Sequence, residues 1–320
     1  HCEACAIAKS HKTTLPSAAT FRASRTLELI HSDICGPMQT ATIGGARYMV
    51  TFIDDHSRLA VVKLLKNKHE VMQHFVDFKA QVENATGNRI IMFRSDNGGE
   101  YCSHQFEDYF AKHGIIHQLS TPYTPAQNGV AERFNRTIIE SARTLLHDAK
   151  LHNSFWGEAV ATAVYLKNRT PHRALQQQSP YFLWFGRQPD LRHLRVFGCP
   201  AFAHINDVGR QKLDPKGKKC IFVGYSATQK AYRLYDPTTG KIIVSRDVTF
   251  REHRLSDTNM QVSSAKPSSD TAELHIVSNS NSCNMPTAAT DESIIKHANR
   301  HAPFINDAEN NSSDSDTKEE

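Results

Sequence analysis

Short apolar runs that alternate with amphipathic helical patterns fill the first half of this 320-residue chain. Apolar positions in unbroken or alternating runs are typical of strands, whereas apolar positions spaced by three and four are typical of helices. The predicted strands are residues 27–34, 48–53, 59–65, 90–93 and 115–119. The predicted helices are residues 69–82, residues 103–113 and a longer one around Glu132. Strands followed by alternating helices and strands predict a mixed α/β sheet with helices on its faces.

The pattern changes in the second half of the chain. Residues 154–185 have helical spacing, with Pro171 ending one helix and Ser179-Pro180 beginning the next. Short β runs follow, separated by turn residues, at 195–205, 219–225, 231–235 and 242–245. Residues 251–320 are rich in Ser, Asn, Asp and Thr and poor in large apolar side chains, so we expect them to be disordered.

Charge is distributed unevenly along the chain. Residues 251–320 hold 6 Lys and Arg against 12 Asp and Glu, which leaves 32 against 21 in the preceding part. A basic body suits a polyanion such as nucleic acid, although many basic proteins bind none. No apolar run approaches 18 residues, so we expect no membrane span. Seven cysteines without a secretory signal indicate a reducing, intracellular compartment.

Three carboxylates are distinguished by their context. Asp33 lies in the first predicted strand, Asp96 follows the strand 90–93, and Glu132 lies early in an amphipathic helix. Carboxylate oxygens are the ligands that Mg²⁺ prefers, and two such ions can neutralise charge on the attacking and leaving oxygens of a phosphodiester. The three side chains therefore predict a metal site for phosphodiester chemistry, and three unrelated surface carboxylates are the alternative.

The helix that carries Glu132 has an apolar stripe and a charged flank. The predicted stripe is Val130, Phe134, Ile138, Leu145 and Ala149. At about 100° per residue, Glu132, Arg136 and Arg143 fall together on a flank away from the centre of that stripe. We therefore expect Arg136 and Arg143 to bind the phosphates of a nucleic acid close to the carboxylates.

These motifs resemble the integrase region of a copia-type LTR retrotransposon Pol polyprotein, within the retroviral integrase superfamily. The matching stretches are 31–37 (HSDICGP), 52–58 (FIDDHSR), 94–101 (RSDNGGEY) and 121–136 (TPYTPAQNGVAERFNR). The resemblance runs from residue 1 to about residue 250 and departs from the usual pattern at Ala126, where the family has Gln. It implies a ribonuclease H-like core in which Asp33, Asp96 and Glu132 are catalytic and hold two Mg²⁺ or Mn²⁺ ions.

The resemblance also implies an order of domains. Residues 1–24 would be the remnant of a zinc-binding module with a linker, and residues 25–190 the catalytic core with a helical extension. Residues 191–250 would form a small SH3-like β-barrel, and residues 251–320 a disordered acidic linker. Cys2 and Cys5 form a Cys-x-x-Cys pair without the upstream histidine pair, so they are an incomplete site that would hold Zn²⁺ only in a complete module.

As an activity, the resemblance implies strand transfer that inserts element DNA ends into target DNA, with phosphodiester cleavage by the same site. Asn128 would contact DNA beside that site, and the functional form would be a homo-oligomer. The protein would be located first in a cytoplasmic particle and then in the nucleus. A ribonuclease H on the same fold is one alternative, and an inactive or domesticated DNA-binding fragment is another. Asp54, Asp55 and Glu100 are expected to have structural roles.

Overall fold

The computed structural model describes residues 22–120, 128–205 and 211–252. The cysteine pair Cys2 and Cys5, most of the loop before Glu132 and the acidic segment 253–320 lie outside the described residues, and so do the predictions made for them. Within the described residues, no helix combines the length and the apolar character that spanning a membrane requires.

A five-stranded mixed sheet contains the carboxylates. Its strands are β1 (Leu29–Cys35), β2 (Tyr48–Asp54), β3 (Ala60–Leu65), β4 (Met92–Ser95) and β5 (Ile116–Leu119), in the order β3-β2-β1-β4-β5. Strands β1 to β3 are antiparallel neighbours, whereas β4 is parallel to β1 and to β5. The predicted mixed sheet is confirmed. Strand β1 begins later than predicted because Leu27 has a φ of 66° and its N–H donates to Asp54.

One face of this sheet packs against two helices through an aromatic core. The helices are α1 (Val71–Thr86) and α2 (His104–His113), and each ends at a glycine with positive φ. The side chains of this core include Phe52, Phe75, Phe78, Phe93, Phe106 and Phe110. The rings of Phe75 and Phe93 lie 4.7 Å apart and nearly edge to face, which is a favourable geometry for aromatic pairs. This core fixes β1 against β4.

The opposite face is covered by α3 (Gly129–Asp148) and α4 (Trp156–Arg169). The residues of α3 that face the sheet are Ala131, Asn135, Ile138, Ala142 and Leu146. Ile138 of the predicted stripe is buried on this line, whereas Val130, Phe134 and Leu145 are half-buried and pack against the same core from its flanks. The half-buried apolar side chains flank this buried line, so the predicted stripe passed beside the polar residue Asn135, which lies on the line.

A second sheet follows the helical extension, which ends with the short helix α5 (Pro180–Phe185). Its strands are β6 (Pro200–His204), β7 (Gly217–Tyr225), β8 (Tyr232–Asp236), β9 (Lys241–Ser245) and β10 (Val248–Phe250). All pairings are antiparallel, in the order β10-β6-β7-β8-β9. The short strand β10 was absent from the prediction. A β-rich second unit was predicted and is confirmed.

The second sheet packs closely against α4. Gly224 on β7 has a φ of 145°, and a Cβ at this position would lie 2.7 Å from the hydroxyl of Thr162. The same hydroxyl donates a hydrogen bond to the carbonyl of Val223. Arg233 on β8 makes a two-pronged ion pair with Glu158 on α4, with N–O distances of 2.7 and 2.6 Å. These contacts fix the second sheet on the helical layer of the first sheet.

Candidate active site

Asp33 and Asp96 lie on neighbouring parallel strands and on the same face of the sheet. Leu29 is in register with Met92, and His31 with Arg94. Asp33 lies two residues beyond His31, and Asp96 lies two residues beyond Arg94. Side chains two positions apart along extended chain point to the same face of a sheet. Asp96 follows the last residue of β4, and its Oδ1 accepts a hydrogen bond from the N–H of Gly98 at 3.1 Å. The strand pairing therefore places the two predicted carboxylates next to each other, at the C-terminal ends of β1 and β4.

Glu132 lies in the first turn of α3, above the face that carries the two aspartates. Burial raises the pKa of Asp33 to about 6, a rise that a hydrogen bond from Asn135 opposes and that the negative charges of Asp96 and Glu132 reinforce. The three predicted carboxylates thus share one electrostatic environment.

Asn135 joins this site and was missed by the sequence prediction. Its Nδ2 donates to Oδ2 of Asp33 at 2.9 Å, and its Oδ1 accepts from the hydroxyl of Thr51 at 3.0 Å. Asn135 is 4% exposed and lies on the buried line of α3 between Ala131 and Ile138. A polar residue on an apolar helix face is the signal that would have found it, because a buried amide needs partners.

Asn128 has a different place from the one predicted. Its side chain is 1% exposed, and Nδ2 donates to the backbone carbonyl of Ser32 at 3.1 Å. The hydroxyl of Ser32 is in turn hydrogen-bonded to that of Tyr101 at 2.7 Å. Asn128 therefore ties the start of α3 to β1, and a direct contact of this side chain with DNA is not supported.

The chemistry of the three carboxylates suits a hard divalent cation, but their arrangement does not form a closed cage. Among the described residues, no group of three or more His, Cys, Asp or Glu side chains has the geometry of a metal site. Asp33, Asp96 and Glu132 also have no ion-pair partner in this part of the chain, and the nearby Lys68 pairs with Glu100 at 3.0 Å. Uncompensated carboxylates in one environment are the donor set that Mg²⁺ prefers.

The neighbouring acidic residues have structural roles, as predicted. Asp54 accepts hydrogen bonds from the backbone N–H groups of Leu27 and Ser57, at 2.8 and 2.7 Å. Asp55 contacts His31 at 2.9 Å and Arg58 at 3.0 Å. Both aspartates hold the turn between β2 and β3 against the start of β1, so neither is available as a ligand beside Asp33.

Exposed cations lie along the outer side of α3. Arg133, Arg136 and Arg143 are all exposed and make no side-chain hydrogen bond or ion pair within the described ranges. Arg133 folds back over its own helix, since a Cβ at Gly129 would lie 2.6 Å from its Nη1. Arginines without an acidic partner beside a carboxylate site are suited to phosphate binding.

Comparisons with known proteins place these features in a family. Residues 23–125 match the integrase core domain, and residues 199–264 match the retroviral polymerase SH3-like domain. The retrovirus-related Pol polyprotein from transposon TNT 1-94 of Nicotiana tabacum is 48% identical over 254 residues, which are 79% of this chain and 19% of that polyprotein. The polyprotein from transposon RE2 of Arabidopsis thaliana is 41% identical over 267 residues, which are 83% of this chain and 18% of that polyprotein. The chain thus spans less than a fifth of either relative.

Solved integrase structures show a weaker likeness. A chain of the simian T-cell lymphotropic virus intasome in complex with PP2A regulatory subunit B56 gamma has a TM-score of 0.46 and 16% identity, covering 79% of this chain and 88% of its own. The HTLV-2 integrase catalytic core domain in complex with magnesium has a TM-score of 0.39 and 15% identity, covering 51% of this chain and 99% of its own. Topology and the two family matches agree with the predicted resemblance, and this chain belongs to the integrase region of copia-type, retrovirus-related Pol polyproteins.

Proposed function

We propose that this chain is an integrase segment that transfers the ends of element DNA into target DNA in a reaction that depends on Mg²⁺ or Mn²⁺. The observation that carries the proposal is the placement of Asp33 and Asp96 on neighbouring parallel strands, with Glu132 in the first turn of the helix that covers them, which leaves three negative charges in one part of the molecule. Such an excess of negative charge is stable at neutral pH when divalent cations balance it.

The proposed roles follow from the positions of the side chains. Asp33, Asp96 and Glu132 would hold two cations, which neutralise charge on the attacking and leaving oxygens of a phosphodiester. Asn135 donates to Asp33 and so favours its ionised, ligating form. Arg136 and Arg143 would bind DNA phosphates along α3. A 3′-hydroxyl in the attacking position gives strand transfer, and water in that position gives cleavage.

Partners and location are further parts of this proposal. The partners would be element ends and target DNA, bound by a homo-oligomer that bridges them. The place of action would be the nucleus, after passage through a cytoplasmic particle. Cys2 and Cys5 would contribute two of the four ligands of a zinc module.

An inactive or domesticated DNA-binding fragment is the alternative that one observation favours. The described residues contain no preformed cluster of three metal-ligating side chains, whereas the cations of α3 are exposed and unpaired. In that case DNA would bind with the same salt dependence, but divalent ions would add neither affinity nor chemistry.

A strand-transfer assay with duplex element ends and a supercoiled target tests the proposal. We expect Mg²⁺- or Mn²⁺-dependent joining by the wild-type sequence fused to a complete zinc module, and at least about a hundredfold less by Glu132→Gln in the same fusion. Joining that persists in Glu132→Gln would remove Glu132 from the site. Cleavage of an RNA–DNA hybrid without joining would indicate a ribonuclease H, and DNA binding with neither reaction would indicate the inactive fragment.

A further inference from the structure

A cavity of about 520 Å³ lies at the C-terminal end of α3, away from the carboxylates. Its lining residues are Arg143, Leu146, His147, Lys150, Leu151 and Asn153. At 1.5 Å per residue, Arg143 lies roughly 16 Å along the helix from Glu132. The cavity is therefore separate from the catalytic site and has a chemistry of its own.

The end of α3 builds the apolar floor of this cavity. The N–H of Leu151 donates to the carbonyl of Leu146 at 3.1 Å, and the N–H of Lys150 donates to the carbonyl of His147 at 3.2 Å. This pair of bonds is a Schellman motif, which brings the residue after the turn against the last helical turn. Leu151 thus packs beside Leu146, which is 8% exposed. The turn residue is Lys150, with a φ of 52°, at a position where glycine is usually found.

Three cationic or titratable side chains surround that floor. Arg143, His147 and Lys150 are exposed, and none has a side-chain hydrogen bond or an ion pair among the residues that the structure describes. Cations at the last turn of a helix offset the partial negative charge of the free carbonyls, which accounts for their presence on an ordinary helix. This interaction with the helix carbonyls does not account for the leucines that line the cavity, or for a lysine at the left-handed turn position.

The combination fits a short acidic segment that also carries apolar side chains. A cavity of this size is within the range that holds a ligand of several side chains. A lone phosphate would pair with the cations but would not use the leucine part of the lining. Carboxylates opposite Arg143 and Lys150 and an apolar residue against the leucines would satisfy both parts of the lining.

The chain itself contains such a segment. Residues 303–320 begin with Pro303, Phe304 and Ile305 and continue with six carboxylates and one lysine. The carboxylates are Asp307, Glu309, Asp314, Asp316, Glu319 and Glu320. The last described residue is Glu252, and the 50 residues from 253 to 302 reach roughly 165 Å when extended at about 3.3 Å per residue.

We propose that the cavity at the C-terminal end of α3 is a docking site for the acidic segment 303–320 of this chain. Phe304 or Ile305 packs on Leu146 and Leu151, and the following carboxylates pair with Arg143 and Lys150. Because Arg143 lies on the side of α3 that also faces DNA in the proposed function, the docked segment competes with DNA for this helix. The docking itself does not depend on strand transfer.

Zero-length crosslinking of the full chain with a carbodiimide tests the docking directly. We expect amide links between Lys150 and Asp307 or Glu309, read by mass spectrometry, and their loss in Phe304→Ser/Ile305→Ser. Lys112, at the exposed end of α2, is the matched control and should form at most a tenth as many links. Equal yields at Lys112 and Lys150 would overturn the proposal. A mixture of light and heavy chains shows whether the segment comes from the same copy, as proposed, or from a second one.

Competition with DNA is tested by a double-mutant cycle in the full chain. Neutralising Asp307, Glu309, Asp314 and Asp316 to the amides should raise the affinity for a short duplex about threefold to tenfold at moderate salt. In the Lys150→Ala/His147→Ala background the same change should have no further effect. An equal gain in both backgrounds would show general repulsion between the segment and DNA, and would overturn docking at this cavity. Loss of strand transfer with the cycle intact would contradict only the proposed function.

Discussion

Asn135 on α3 and Asp33 on β1 are joined by a hydrogen bond of 2.9 Å from Nδ2 to Oδ2, across 102 residues of sequence. Thr51 on β2 sets the orientation of the Asn135 amide, because its hydroxyl donates to Oδ1 and leaves Nδ2 to face the carboxylate. A donor aimed at a carboxylate favours the ionised form. The helix that carries Glu132 therefore also carries the amide that opposes the effect of burial on the pKa of Asp33.

Asn135→Ala should raise the pKa of Asp33 above its value of about 6. The hydrogen bond that opposes the effect of burial is lost, whereas Asp96 and Glu132 remain. The carboxyl resonance of Asp33 in a ¹³C NMR titration measures this shift, and the pH at which cation-dependent activity begins should move upward with it. Thr137→Ala, on the exposed side of the same helix, is the control. An unchanged titration in Asn135→Ala would show that the bond does not influence Asp33.

The sequence singles out Asp33, Asp96 and Glu132 as candidates because each lies in a local pattern, namely a buried strand, a strand end before Asn-Gly-Gly and the first turn of an amphipathic helix. It did not identify Asn135, because the apolar residues Phe134 and Leu145 placed the stripe of α3 beside the true contact line. The position of Asn128 depends on the carbonyl of Ser32, a partner 96 residues away. Long-range polar pairs of this kind leave no periodic trace in a sequence.

Mg²⁺ should stabilise the fold more at about pH 7.5 than at about pH 5. The pKa of Asp33 is raised to about 6, so the folded state binds a proton that the unfolded state releases between its usual pKa near 3.9 and about 6. Stability from this group is present at low pH and is lost as the pH rises through that window, by at most about 3 kcal/mol. Above the window the ionised carboxylate is destabilising, and a bound cation offsets that effect.

Thermal unfolding with and without Mg²⁺ measures this linkage. Asp33→Asn should be more stable than wild type at about pH 7.5 without metal and should lose the response to Mg²⁺. Asp77→Asn, on the exposed side of α1, should keep that response. An equal Mg²⁺ response in Asp33→Asn and wild type would place any cation binding elsewhere.

Breaking the ion pair between Glu158 and Arg233 should weaken the attachment of the second sheet to α4. The guanidinium contacts both carboxylate oxygens, at 2.6 and 2.7 Å, and the pKa of Arg233 is raised by this hydrogen bond. For a partly buried pair we expect Arg233→Met to lower the free energy of unfolding by roughly 1–3 kcal/mol. Urea denaturation measures the loss, and Arg246→Met, from an exposed pair with Asp247, should change it by less than about 0.5 kcal/mol. Equal effects of the two substitutions would mean that the Glu158 pair does not hold the sheets together.

Substitutions at different residues of α3 should affect DNA binding and strand transfer separately. Glu132→Gln removes one charge from the carboxylate site and leaves the exposed arginines in place, so strand transfer should fall at least about a hundredfold with little change in DNA affinity. Arg136→Ala and Arg143→Ala should weaken DNA binding, and each should lower the slope of log affinity against log salt by about 0.9. A carboxylate repels phosphate until a cation bridges the two, whereas arginine attracts phosphate without a metal.

Salt-titrated affinity for a short duplex and strand-transfer yield, measured on the same preparations, distinguish these roles. Lys112→Ala is the charge-matched control, because Lys112 is exposed at the end of α2 on the opposite face of the sheet. It should change neither the salt slope nor the yield. If both arginine variants keep the wild-type slope of log affinity against log salt, Arg136 and Arg143 do not bind DNA phosphates, and DNA does not run along α3.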